Sequence, residues 1–121
     1  PSGFEPIRLL FTTPEQLAAL AAGRSKLGLA LEALAAVGRL RGLVVDEAHV
    51  VCSWGSDFRS RYLALAQVRE SWHGPTAVPI FAFTASLPRG GPELRLVEAL
   101  GMKSPTVFRA SVNRPEIRYE V

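Results

Sequence analysis

Asp46 and Glu47 stand side by side directly behind the apolar run Leu43-Val44-Val45, and Ala48 and His49 complete the string D-E-A-H. An apolar run of this kind reads as a buried strand, which sets both carboxylates at its carboxyl end. In open α/β sheets ligands bind outside the carboxyl ends of the strands, and an aspartate there is the metal-holding half of a nucleotide site. In that place Asp46 can hold Mg²⁺, usually through water, while Glu47, pointing elsewhere, can orient or deprotonate an attacking water. The structural alternative has Asp46 capping the helix that follows and Glu47 solvated in its first turn. The complete D-E-A-H string at a strand end favours the division into metal holder and base.

Zinc chemistry is not indicated, because H-E-x-x-H is missing and the only other histidine, His73, follows a different helical segment. A hydrogen-bonding switch fits His49 better, since an imidazole can answer a neighbouring group without carrying permanent charge. No G-x-x-x-x-G-K-[ST] loop occurs in the 121 residues, so the main phosphate cradle of a nucleotide site is not among them. Cys52 reads as an inert buried thiol, and a single cysteine fits a reducing compartment such as cytosol or nucleus.

Three apolar runs, Ile7 to Phe11, Leu43 to Val45 and Ile80 to Phe83, lack the alternation of a half-exposed strand and predict buried parallel strands. Helix-period segments lie between them, which predicts an α/β sheet with crossover helices on its faces. The first helix has Thr13 as cap, Pro14 at its first position and Gln16 at capping-box spacing, with Gly23 to stop it. A second, from about Ser25 to Gly38, turns Leu27, Ala30, Leu31 and Leu34 to the core. A third, after Asp57, aligns Tyr62, Leu65, Val68 and Trp72, and a fourth, between Pro92 and Gly101, aligns Leu94, Val97 and Leu100. The tail from Ile117 to Val121 alternates like a further strand behind Arg114 and Pro115.

Composition is that of an ordinary globular domain, 48% hydrophobic and 21% charged, and no apolar run approaches the roughly 20 residues that span a bilayer. The opening residues, Pro1 to Glu5, contain no basic leader or apolar stretch and read as a start within a longer protein. The formal charge is +3, and Lys26 and Lys103 are the only lysines beside the arginines. Arginine suits phosphate, but a charge this small does not by itself point to nucleic acid.

D-E-A-H followed by Ser53-Trp54-Gly55-Ser56-Asp57-Phe58-Arg59 and Tyr62 resembles the RecQ family of DNA helicases. D-E-A-H alone is shared across superfamily 2, whereas an aromatic-rich loop W-G-x-D-F-R-x-x-Y directly behind it is close to a RecQ signature. Thr13-Pro14-Glu15 is similar to the family's T-P-E or A-P-E motif, Thr84-Ala85-Ser86 stands in the place of its T-A-T, and Val112-Asn113-Arg114-Pro115-Glu116-Ile117 is similar to F-D-R-P-N-[IL]. The sequence departs from the pattern with Ser56 for histidine, Ser86 for threonine and Asn113 for aspartate.

The resemblance implies a RecA-like parallel sheet flanked by helices, with residues 1–112 forming part of the first motor domain and 113–121 a linker into the second. It implies ATP as substrate, Mg²⁺ held through water by Asp46, Glu47 activating water, and His49 linking hydrolysis to Thr84 and Ser86. Trp54, Phe58 and Arg59 become the DNA sensor, with Thr13, Pro14 and Glu15 on the DNA backbone. Rings and a guanidinium can stack on unpaired bases of any sequence, worth about 1–3 kcal/mol per base. Packing offers another account of the loop, with Asp57 as a cap and Trp54 and Phe58 in the core, and Thr84 and Ser86 can simply satisfy local backbone donors. The expected function is a fragment of an ATP-dependent 3′-to-5′ helicase acting on single-stranded and duplex DNA, nuclear in a eukaryote and otherwise cytoplasmic, and inactive alone. Two rivals remain, a non-catalytic binding module for nucleic acid or a protein partner and an RNA helicase of the same superfamily.

Overall fold

The computed structural model describes residues 7–13, 15–17, 19, 25–53, 56–111 and 117, with side chains for all of these except 53, 56–62 and 64. Residues 15–17 and 19 are helical, and Thr13 and Gln16 close a capping box ahead of them. The Gln16 amide donates to Thr13 Oγ1 and the Thr13 amide to Gln16 Oε1, each at 3.3 Å. Ser25 caps α1 (Lys26–Ala36) by accepting from the Gly28 amide at 3.0 Å, a bond worth about 1 kcal/mol against alanine. The turn after Trp72 closes on the other end of α1 so tightly that a Cβ on Gly74 would meet the Ala35 carbonyl oxygen at 2.2 Å. Only glycine fits there.

β1 (Leu43–Val45) and β2 (Ile80–Ala82) form a parallel pair in the register Leu43 with Ile80, Val44 with Phe81 and Val45 with Ala82. Parallel neighbours need a long crossover, here supplied by α2 (Val50–Ser53) and α3 (Ser56–Ser71). α4 (Gly91–Ala99) follows β2, with Pro92 and Glu93 in its first turn, where a missing N–H and a negative charge are both favourable. Val45, Val51, Leu65, Val68, Trp72 and Leu100 belong to one buried cluster against which Leu43, Ile80 and Ala82 pack. The helices therefore lie on the sheet face that carries Leu43, Val45, Ile80 and Ala82.

Several expectations change. Ile7 to Phe11 forms no strand, and Ile7 and Phe11 are 85% and 86% exposed, because no further strand among the described residues lies where this run could pair. The two central runs are strands, but among the described residues they are covered on one face only. Val44, Phe81 and Phe83 stand on the open face, so both faces are apolar in sequence while a single one is buried. On α1 the buried stripe is Leu31 and Ala35, with Leu27 and Leu34 exposed, and on α4 it is Leu96 and Ala99, leading into Leu100. Leu94 is exposed and Val97 half-buried, so the α4 stripe is rotated about a residue from the expected one. In and after α3, Leu65, Val68 and Trp72 are buried as expected, whereas the side chain of Tyr62 lies outside the described residues. Also outside them are the stop at Gly23 and most of the 117–121 tail, of which Ile117 is in no strand.

Candidate active site at the strand ends

Residues 46–49 leave β1 in a turn that the extension of β2 holds from the side. The Phe83 amide donates to the Val45 carbonyl and the Ala48 amide to the Phe83 carbonyl, both at 2.9 Å. Ala48, fully buried, anchors the turn to the core. Glu47 has φ +46, in the left-handed region that costs a side-chain-bearing residue roughly 1–2 kcal/mol. The bonds on either side of it hold that conformation. Asp46 Oδ1 accepts from the Glu47 amide at 2.9 Å, and the Glu47 carbonyl accepts from the Val50 amide at 3.0 Å. α2 begins at Val50, so Asp46 sits too far ahead to cap it, and the capping account of Asp46 does not hold.

The strained turn brings three functional groups to one point. His49 Nδ1 lies 3.0 Å from Thr84 Oγ1 and 3.2 Å from Glu47 Oε2. Thr84 Oγ1 also accepts from the Ser86 amide at 3.3 Å, so the hydroxyl satisfies a local backbone donor while meeting the imidazole. Where Nδ1 carries the ring hydrogen, the Thr84 hydroxyl and the Glu47 carboxylate compete for it, since a ring nitrogen donates only one. The His49 side chain is 28% exposed and that of Glu47 is 64% exposed, leaving the carboxylate open to solvent.

The curated proteins that this chain matches include several DNA helicases. It is 37% identical over 114 residues, 94% of its length, to ATP-dependent DNA helicase Q-like 4B of Arabidopsis thaliana, and 37% over 121 residues, 99% of its length, to RecQ-like DNA helicase blm-1 of Caenorhabditis elegans. Over 84 residues, 69% of its length, it is 36% identical to ATP-dependent DNA helicase RecQ of Synechocystis sp.. The chain belongs to the RecQ-like helicases. This RecQ-like segment spans 9%, 12% and 17% of the lengths of those three relatives. No family model and no solved structure matches it.

Asp46, Glu47, His49 and Thr84 of the RecQ-like segment thus converge at the strand ends. Ser86 joins through its backbone. Thr13 is exposed and engaged with Gln16 in its capping box, and Glu15 is exposed in the same turn. Pro14 and Trp54 lie outside the described residues, as do the side chains of Phe58 and Arg59, whose backbone belongs to the first turn of α3. Cys52 is half-buried, with Sγ 3.2 Å from the Pro92 carbonyl oxygen. The Phe83 backbone staple was not anticipated, because a main-chain contact leaves no signature in residue type.

The residues fit a hard divalent cation of the Mg²⁺ kind. Such an ion takes one or two carboxylates, with waters and substrate phosphates filling its octahedron, and does not need an all-protein cage. Asp46 is exposed and commits Oδ1 to the Glu47 amide, a bond that does not use Oδ2. No group of three or more His, Cys, Asp or Glu that could enclose a metal occurs among the described residues.

Proposed function

We propose that this chain is the strand-end half of the ATPase site in the first, RecA-like motor domain of an ATP-dependent 3′-to-5′ DNA helicase. The contact of His49 Nδ1 with both Glu47 Oε2 and Thr84 Oγ1 carries the reading, since it ties a candidate base to a second motif through one side chain. Asp46 would hold Mg²⁺ through water, and that ion would supply charge neutralisation on the phosphates. Glu47 orients the attacking water and accepts its proton. When His49 gives its bond to Thr84 the Glu47 carboxylate is freed for that work, and when it gives the bond to Glu47 the carboxylate is occupied. Two such states are what coupling requires. The D-E-A-H string and the aromatic loop behind it support DNA as the polymer, with Trp54, Phe58 and Arg59 sensing single strands and Thr13, Pro14 and Glu15 on the backbone.

The rivals of this reading are a binding module that hydrolyses nothing and an RNA helicase of the same superfamily. Strand-separation assays on matched DNA and RNA duplexes, run on the complete protein with Glu47→Gln as control, decide among the three. Separation of DNA alone, lost in the variant, is the expected result. Equal action on RNA removes the DNA assignment, and no ATP-dependent separation at all leaves the binding module.

A further inference from the structure

Leu87 directly follows the Thr84-Ala85-Ser86 turn, and its side chain packs against the core. Its carbonyl is held from the other side by Arg109, whose Nη1 donates to it at 3.3 Å. Nη2 of the same guanidinium donates to Glu93 Oε2, in the first turn of α4. One side chain thereby joins the turn that carries Thr84, the start of α4 and the segment leading away from both. Charge-assisted bonds from a planar fork fix geometry as well as distance, which a lysine point charge cannot reproduce. Val107 and Phe108 just before Arg109 add little burial, being 52% and 90% exposed.

We propose that Arg109 is a positioning residue that latches the departing segment to the Thr84–Ser86 turn, so that a change at the nucleotide site is passed to the chain beyond residue 111. The relay rests on the coupling role of Thr84 argued above. A turn that shifts when His49 exchanges Thr84 for Glu47 moves the Leu87 carbonyl, and the guanidinium must then follow it or let go. Either response redirects the outgoing chain.

The test uses the complete helicase with Arg109→Ala, Glu93→Ala, the double variant and Arg109→Lys. DNA-stimulated ATPase, base pairs separated per ATP, and amide hydrogen exchange over residues 84–88 and 105–111 are measured on each. The expected result is ATPase within about twofold of the parent while base pairs separated per ATP fall about fivefold in either alanine variant, the scale of a half-exposed ion pair. The double variant falls no further than Arg109→Ala, Arg109→Lys recovers part of the loss, and exchange rises in both segments together. Unchanged exchange, additive losses in the double variant, or normal separation per ATP despite faster exchange each overturns the latch. A parent protein without DNA-stimulated ATPase refutes the underlying functional reading and the relay with it, and is told apart from the other outcomes because it shows in the unmutated protein.

Discussion

Thr84→Val is the perturbation that most directly questions the site. Valine keeps the shape of threonine and removes only the hydroxyl that meets His49 Nδ1 at 3.0 Å and accepts from the Ser86 amide at 3.3 Å. Ser86 is exposed, so water replaces the second bond at little cost. The first is half-buried, and an intramolecular hydrogen bond of this kind contributes about 1 kcal/mol net. Unfolding should therefore shift by no more than about 3–6 °C for a domain of this size. Function should change in a specific way, because Nδ1 loses the Thr84 hydroxyl and its bond to Glu47 Oε2, 3.2 Å away, is no longer shared with it. A carboxylate held by the imidazole is a poorer proton acceptor. If the bias is worth the same 1 kcal/mol, kcat for DNA-stimulated ATP hydrolysis falls about fivefold with KM for ATP unchanged. Steady-state ATPase with and without single-stranded DNA, beside thermal unfolding of the same preparation, reads both effects. Normal DNA-stimulated kcat in a variant destabilised by the predicted amount would refute the relay, since the hydroxyl would then serve only Ser86 and local packing.

Glu47→Gln in the complete protein should lower ATP turnover at least about 10²-fold, the lower range for loss of a general base, while nucleotide binding largely survives, and near-normal turnover removes Glu47 from the role. Trp54→Ala, or Phe58→Ala with Arg59→Ala, should abolish most DNA stimulation without a change in thermal stability. A packing role would instead cost roughly 3–5 kcal/mol and lower every activity together. The 121-residue chain by itself should show no measurable ATPase, because backbone amides and a lysine normally carry most of the triphosphate charge. Calorimetry that finds micromolar Mg²⁺–ATP affinity in the purified chain contradicts this.

Sequence alone placed the carboxylate pair and the helix starts, because local signals suffice for both: an apolar run ending in Asp46-Glu47 declares a strand end, and Thr13 with Gln16, Ser25 and Pro92 declare helix starts through bonds made within four residues. It also anticipated His49 beside Thr84, through the RecQ resemblance and not through any spacing, since 35 residues separate them. Burial was a different matter. Leu43 to Val45 and Ile80 to Phe83 are apolar on both faces, so nothing local distinguishes the covered face from the one where Val44, Phe81 and Phe83 stand open. Helical stripes were found within about a residue, since Leu27 and Leu31 are equally apolar and only the packing partner selects between them. The left-handed turn at Glu47, the Phe83 staple and the bridge from Arg109 to Leu87 and Glu93 were decided by tertiary structure alone. Each depends on a backbone group whose position is set by distant chain, and a backbone group is the same at every residue.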